Sequence, residues 1–303
     1  MKILITGIHG FLGSALSRYL CHTKKQLSVY GFTRKKSSLE SSGIIECDLN
    51  QTSQLQKILF ELKPDIIFHC VGGRYSDEQK TFEANFTATK NLLETVKELK
   101  PACRPRIVIP GSAGEYGNVK GKRLITEDCL PRPLQWYGFV KLLQTNLALF
   151  YKNYDLDVIV VRIFNISGTN TPTGLAIGQF AQQIVAIERG EEPVIRTKNL
   201  GGRRDVCDIE DICRGLWMIA QKGKSGEIYN LCSAHPVTFR QLLQQMLQFA
   251  KVKGIRIEEN EQDTSSSFDV VGSNARLKSL TSWSPQVDLV RSLKNTLNNY
   301  RNN

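Results

Sequence analysis

Lys2-Ile3-Leu4-Ile5-Thr6-Gly7-Ile8-His9-Gly10-Phe11-Leu12-Gly13 is the stretch whose reading decides the fold. Residues 2–6 form an apolar run long enough for one buried strand, and Ser14-Ala15-Leu16-Ser17-Arg18-Tyr19-Leu20 reads as the helix that follows. Gly7 permits the tight turn, Gly10 lets the backbone approach a pyrophosphate, and Gly13 lets the helix pack closely on the strand. Free amides at the helix start then face the anion. The spacing is G-x-x-G-x-x-G, not the general G-x-G-x-x-G dinucleotide pattern, so the strand before and the helix after carry part of the assignment. A second apolar run, Leu27-Ser28-Val29-Tyr30-Gly31-Phe32, ends in Thr33-Arg34-Lys35-Lys36. An acidic residue at that place would bind ribose hydroxyls. A guanidinium and ammonium groups suit a 2′-phosphate instead. The pattern therefore predicts NADP(H) in preference to NAD(H), with Arg34 and Lys35 on the extra phosphate.

Outward from this start, strand and helix patterns alternate. Apolar strand candidates are 2–6, 27–33, 43–46, 65–71, 106–110 and 157–163; helical candidates include 52–62, 77–99 and 134–153. Such alternation predicts an α/β fold, a Rossmann-type doubly wound parallel sheet with helices on both faces. Ligands of these sheets sit at the carboxyl ends of the strands. The candidate residues Gly7, Arg34, Asp48, Cys70 to Gly73, Ser112 and Asn165 fall there. After about residue 165 the rhythm breaks. Gly168 to Gly174 and Gly201 to Asp205 read as loops, and helices are expected at 175–189, 238–250 and 286–301. Residues 259–267 read as a polar surface segment. The expected division is a cofactor-binding part, 1–165, rejoined by 205–233, and a smaller discontinuous substrate-binding region, 166–204 with 234–303.

At 303 residues the chain can bury a large core. No apolar run approaches the roughly 20 residues of a membrane span. A glycine turn cuts the first apolar stretch at once, which excludes a signal peptide and predicts a cytoplasmic protein. The eight cysteines include no C-x-x-C pair, so neither a metal site nor a disulfide framework is expected. A net charge of +11 fits a polyanionic cofactor and substrate. Its basic residues are dispersed and no nucleic-acid motif accompanies them, so no nucleic acid partner is expected.

Tyr137-Gly138-Phe139-Val140-Lys141 places a phenol and an ammonium four residues apart on one helix face. An ammonium beside a phenol predicts a tyrosine pKa lowered from about 10 towards neutrality. Such a tyrosine can pass a proton to or from an alcohol oxygen. Ile107-Val108-Ile109-Pro110-Gly111-Ser112-Ala113-Gly114-Glu115-Tyr116-Gly117 is a strand running into a turn. The Ser112 hydroxyl, exposed at the strand end, can hydrogen-bond a carbonyl oxygen and help stabilise a developing alkoxide. Glu115 reads either as a group that positions a sugar hydroxyl or as a solvated turn carboxylate.

These residues together resemble the extended short-chain dehydrogenase/reductase family, whose members handle nucleotide sugars. Thr6 to Gly13 matches its cofactor turn, and Asp48-Leu49 its adenine-side contact. Phe68-His69-Cys70-Val71-Gly72 stands at its fourth-strand motif, and Asn85 with Thr89 to Glu94 fits its next helix. Ser112, Tyr137 and Lys141 match the catalytic trio. Arg162-Ile163-Phe164-Asn165 resembles R-x-F-N, and Arg204 to Ile209 resembles R-D-F-x-D-V. Gly226 to Leu231 and Trp283-Ser284-Pro285 match late landmarks, so the resemblance spans nearly the whole chain. Within the family the chain looks most like the GDP-6-deoxy-D-mannose reductases, on Gly111 to Gly117, Phe180 to Glu188 and Gly272 to Leu277.

The resemblance implies a cofactor site of Gly7, Gly10, Phe11, Leu12, Arg34, Lys35, Asp48, Leu49, Cys70, Val71, Gly72, Tyr137, Lys141 and Phe164. It implies substrate contacts at Ser112, Glu115, Asn165, Gln179 and Arg204, no metal, and reduction of a 4-keto group on a nucleotide-diphosphate sugar. It also implies a homodimer built from the helix holding 84–98 and the one holding Tyr137. Ala113-Gly114 stands where the family's dehydratases carry Asp-Glu, which sets water elimination aside. Two departures stand out: Ile166-Ser167-Gly168-Thr169 follows R-x-F-N in place of a pair ending in Gly-Pro, and no arginine lies between Arg256 and Arg276, where related reductases grip the diphosphate. The sugar could be a hexose or a longer heptose analogue. A nucleotide-sugar 4-epimerase and a non-catalytic NADP(H)-binding protein are the alternative readings.

Overall fold

The structure, a computed structural model, describes residues 1–24, 26–34, 43–119, 124–260 and 268–302. Its strands are β1 (Lys2–Thr6), β2 (Ser28–Thr33), β3 (Ile44–Glu46), β4 (Ile66–His69), β5 (Arg106–Ser112), β6 (Val158–Ile163), β7 (Asn165–Ser167), β8 (Val194–Lys198), β9 (Arg203–Asp208), β10 (Ile228–Leu231), β11 (Pro236–Thr238) and β12 (Arg256–Asn260). Its helices are α1 (Phe11–Thr23), α2 (Thr52–Leu62), α3 (Glu78–Phe82), α4 (Ala88–Lys97), α5 (Trp136–Phe150), α6 (Ala176–Glu188), α7 (Ile209–Lys222), α8 (Phe239–Gln248), α9 (Ala275–Thr281) and α10 (Leu289–Asn302). A π-helical turn, Glu83–Thr87, joins α3 to α4.

Seven strands form one sheet in the order β10-β6-β5-β4-β1-β2-β3, and every neighbouring pair is parallel. The order reverses between β1 and β4, the switch point where sheets of this kind bind ligands at the carboxyl edge. Both faces are covered, as the strand sequences require: buried parallel strands read as continuous apolar runs. Ile3, Ile5, Phe68, Val108, Ile159 and Val161 point to the layer of α1 and α7. Leu4, Ile67, Ile107, Ile109, Val158 and Val160 point the other way, towards α2, α4 and α5. The alternation along β1 is the period of two that a strand imposes.

Two smaller sheets lie outside this frame. β9 sits between β11, antiparallel, and β7, parallel. β12 pairs with β8 in parallel. A separate core, with Ile177, Phe180, Ile184, Leu242, Met246, Leu293 and Leu297, gathers α6, α8 and α10.

The first half follows the expected elements within two or three residues, and the helix expected at 77–99 contains the π-helical turn. Downstream the helices expected at 175–189, 238–250 and 286–301 form as α6, α8 and α10, and the reading falls short between them. The loop expected at 201–205 gives way at Arg203 to β9. Arg203-Arg204-Asp205 has no apolar periodicity, and its pairing with β7 and β11 is entirely tertiary. The surface segment expected at 259–267 begins inside β12, and its remainder lies outside the described residues.

Candidate active site

The glycine turn works by close approach. Gly7 takes a positive φ of 68°, and a Cβ on Gly13 would stand 2.2 Å from the Gly7 carbonyl oxygen. Only glycine at 13 lets α1 start this near β1. Gly10 precedes α1, and no side chain caps the helix. The first amides of α1 therefore face the carboxyl edge without an internal acceptor, which fits a bound pyrophosphate. Phe11 and Leu12 are half-buried against the core. Arg34 is exposed just after β2. Lys35, the other cation assigned to a 2′-phosphate, lies outside the described residues. Asp48 Oδ1 accepts from Asn50 N at 3.0 Å, so one oxygen shapes its own turn, and the Leu49 side chain belongs to the core. Cys70, Val71 and Gly72 follow β4 at the switch point; burial pushes the Cys70 thiol up to about 12, so it stays protonated.

The serine turn and α5 meet through a second close approach. A Cβ on Gly138 would stand 2.3 Å from the Gly114 carbonyl oxygen. With two glycines in contact, the turn after β5 presses on the first turn of α5. The Ser112 hydroxyl thereby comes within hydrogen-bonding reach of the Tyr137 phenol. It also accepts from Gly114 N at 3.1 Å. Lys141 follows one turn along α5, buried beneath Tyr137, and its Nζ donates to Pro110 O at 2.5 Å and to Gln144 Oε1.

The electrostatics differ from the expectation. Burial pushes the Tyr137 phenol up to about 12, against opposing pulls from the Ser112 hydrogen bond and the Arg74 charge. Lys141 is itself lowered to about 8 by burial, and it points at neutral carbonyl oxygens. The lysine therefore does not depress the tyrosine here. A phenol held protonated is a proton donor, and a donor is what reduction of a carbonyl needs.

Glu115 is corrected outright. It is fully buried and touches no solvent. Oε1 accepts from Ser112 N at 2.8 Å; Oε2 accepts from Arg162 Nε at 2.8 Å and from Thr145 Oγ1 at 2.9 Å. Burial pushes its carboxyl up, while Arg162 and the Ser112 amide favour the charged form. Arg162 in turn lies over the Tyr116 ring, 4.5 Å from its centroid. Neither carboxylate oxygen is left for a sugar hydroxyl. Glu115 instead holds the turn that presents Ser112.

The remaining assigned residues are spread along the same edge. Phe164 is buried against Tyr116 and Cys232, so its ring is core and only its backbone could meet a cofactor. Asn165 gives its side-chain amide to Asp205 O at 3.0 Å. Gln179 is exposed on α6. The Arg204 guanidinium lies 5.2 Å from the Phe239 centroid and 5.6 Å from that of Phe268, and it donates to Phe268 O at 2.5 Å. Arg203 is paired with Asp269 at 2.5 Å. Sequence reasoning missed Gln144 and the structural duty of Arg162. Gln144 stands three residues after Lys141, on the same helix face, and that spacing is the signal that would have found it.

No group of three or more His, Cys, Asp or Glu among the described residues could hold a metal ion. No described helix is long and apolar enough to cross a membrane.

Residues 3–232 match the NAD dependent epimerase/dehydratase family. The chain belongs to that family. It is 25% identical to a GDP-6-deoxy-D-mannose reductase of Pseudomonas aeruginosa, over 99% of this chain and 97% of that protein. The solved structure of RMD from Pseudomonas aeruginosa complexed with NADPH superposes with a TM-score of 0.87 at 24% identity, covering 99% of each chain. A UDP-glucuronic acid 4-epimerase from Bacillus cereus, in complex with UDP-glucuronic acid and NAD, gives 0.84 at 22% identity, covering 100% of this chain and 99% of that one. Membership of the family makes this an enzyme of nucleotide-sugar chemistry with a nicotinamide cofactor.

Proposed function

We propose that this protein is an NADPH-dependent reductase of the 4-keto group of a nucleotide-linked 4-keto-6-deoxy sugar, GDP-linked hexose or heptose. One observation carries the reading. At the serine turn the Tyr137 phenol and the Ser112 hydroxyl stand together, and the turn's one carboxylate, Glu115, is locked beneath them by Arg162. That arrangement can donate a proton to a single oxygen. It offers no acid and base pair in that turn to strip water from the sugar.

A bound NADPH would supply the hydride for C4. Tyr137 gives its proton to the oxygen that becomes the C4 hydroxyl, Ser112 hydrogen-bonds that oxygen, and Lys141 holds the nicotinamide ribose. The amides after Gly10 receive the pyrophosphate, and Arg34, with Lys35, receives the 2′-phosphate. Arg204 and Asn165 meet the diphosphate from the substrate side, and Gln179 faces the sugar from α6. The similarity to the Pseudomonas aeruginosa reductase supports the GDP-linked substrate and the NADPH preference. The same reading divides the chain at 1–165 with 205–233, against 166–204 with 234–303. It includes a cytoplasmic homodimer. Exposed Phe139 and Phe150 with half-buried Leu142 and Leu143 on α5 supply the apolar contacts, whereas Leu147 packs inward. All eight cysteines are free thiols.

The test is NADPH oxidation with GDP-4-keto-6-deoxy-D-mannose, followed by NMR of the product. Stoichiometric oxidation is expected, and the C4 configuration names the sugar. Turnover without added reductant, with copurifying NAD+, would replace this reading with a 4-epimerase. NADPH binding without turnover of any hexose or heptose 4-keto sugar would leave a non-catalytic protein.

A further inference from the structure

Lys141 is a buried cation met by neutral acceptors, and one of them ties it to the other side of the sheet edge. Gln144 is 1% exposed and takes a hydrogen from Lys141 Nζ on Oε1. An ammonium has donors and no acceptor, so the amide must turn its oxygen that way. Its nitrogen then donates to Thr89 Oγ1 at 2.6 Å and to Asn85 O at 3.1 Å. The single Thr89 hydroxyl hydrogen goes to Asn85 O at 2.5 Å. Towards His69, Thr89 can only accept. His69 Nε2 must therefore carry the ring hydrogen and donate it, at 3.0 Å. Nδ1 is left as the acceptor, and Thr6 Oγ1 donates to it at 2.9 Å. Val71 N closes the series by donating to Thr6 Oγ1 at 3.4 Å. Reversing any one link would set two hydrogens or two lone pairs against each other.

We propose that Gln144 is a positioning residue that aims the Lys141 ammonium and helps keep it charged, at one end of a hydrogen-bonded chain whose donations run from Lys141 through Gln144, and from Val71 through Thr6 and His69, to meet at Thr89. What Lys141 does for turnover rests on the reductase reading; the directions of these hydrogen bonds do not. Burial and the nearby ammonium push His69 down to about 3, which matches a ring that must stay neutral to accept from Thr6. The titratable groups facing Lys141 are Glu115 from the serine turn, Cys70 and His69 from the β4 side, and Tyr137 on α5 itself. Glu115 is compensated by Arg162 and Cys70 is a thiol. The carbonyls of Gln144 and Pro110 are thus its direct partners among the described residues.

Two NMR measurements test this, neither needing a sugar. In wild-type protein with 15N-labelled histidine, His69 is expected to stay neutral with its hydrogen on Nε2 from about pH 5 to 8. An Nδ1-protonated or charged ring there would overturn the chain. With 15N-labelled lysine, Gln144→Met is expected to lower the Lys141 titration midpoint by about one unit, because a buried cation loses an acceptor. The signal is assigned by its absence in Lys141→Met. A folded Gln144→Met protein with an unmoved midpoint would overturn the proposal. Should that variant not fold, the same midpoint is read in Gln144→Glu, where a carboxylate in place of the amide is expected to raise it, and an unmoved midpoint would overturn the proposal. A parallel NADPH titration by protein fluorescence separates the two readings: chain intact and no NADPH bound would sink the reductase, not the chain.

Discussion

Across the seven-stranded sheet most groups buried between the layers are Ile, Leu, Val and Phe, whereas the stretch Arg203 to Asp211 buries three carboxylates at intervals of three residues. Asp205 accepts from Ser233 N at 2.6 Å, Ser233 Oγ at 2.7 Å, Ala234 N at 2.8 Å and Gly272 N at 3.3 Å. Asp208 takes Glu210 N at 2.8 Å and the Ser292 hydroxyl. Asp211 takes Gln286 N at 2.9 Å, Val287 N at 2.8 Å and Arg214 at 2.6 Å. The first region is held by non-directional apolar burial, which tolerates exchange among similar side chains. The second is held by directed bonds to fixed backbone amides, and losing one partner strands the others.

That contrast can be broken from its strong end first. Asp205→Ala leaves two backbone amides, the Ser233 hydroxyl and the Gly272 amide without their acceptor. A loss of about 3–5 kcal/mol is expected in urea unfolding, as for breaking a buried charged contact. A loss no larger than that of an exposed substitution would show the stitch to be ornamental. Next is a change that touches chemistry and not the fold. Tyr137→Phe should keep the unfolding midpoint and lower turnover roughly 100-fold or more, the usual contribution of a positioned acid; undiminished turnover would end its assignment as the donor.

The third prediction concerns acid. His69 titrates at about 3 when folded against 6.5 in the open chain. Between those values the unfolded state binds a proton that the folded state does not, so stability falls as pH falls through that window. Taking pH from 7 to 5 should cost about 2 kcal/mol through this ring. The part due to His69 should vanish in His69→Gln, and equal acid sensitivity in both proteins would refute it. The smallest effect is expected at the cofactor edge: Arg34→Ala should lower the preference for NADPH over NADH by about tenfold, the worth of one charged hydrogen bond. Equal preference before and after would move the 2′-phosphate away from Arg34.

Legibility in the sequence followed the same divide. β1, β2, α2 and β6 announce themselves through apolar runs and periodicity, because burial in a parallel sheet writes itself locally. β9 did not, since Arg203-Arg204-Asp205 becomes a strand through partners dozens of residues away. At the site, residue types were readable and their duties were less so. Ser112, Tyr137 and Lys141 could be named from a turn and a helix spacing. Glu115 read either as a sugar-positioning group or as a solvated turn carboxylate, because its counter-charge, Arg162, is 47 residues distant. The depressed Tyr137 pKa expected from Lys141 failed for a related reason: spacing brought the lysine close, but Gln144 and Pro110 decide where its ammonium points.

The three aspartates also set an order of events during synthesis. Asp205, Asp208 and Asp211 leave the ribosome before residues 272, 286, 287 and 292, which supply their partners. Until those amides and that hydroxyl arrive, the carboxylates have to remain in water, and β9 cannot settle into the body of the protein. The N-terminal sheet meanwhile has most of its strands and can form as a unit. A nascent chain stopped near residue 280 would therefore carry a nearly finished cofactor half and an unsealed seam, and that seam, rather than the sheet, is where quality control would find something to grip.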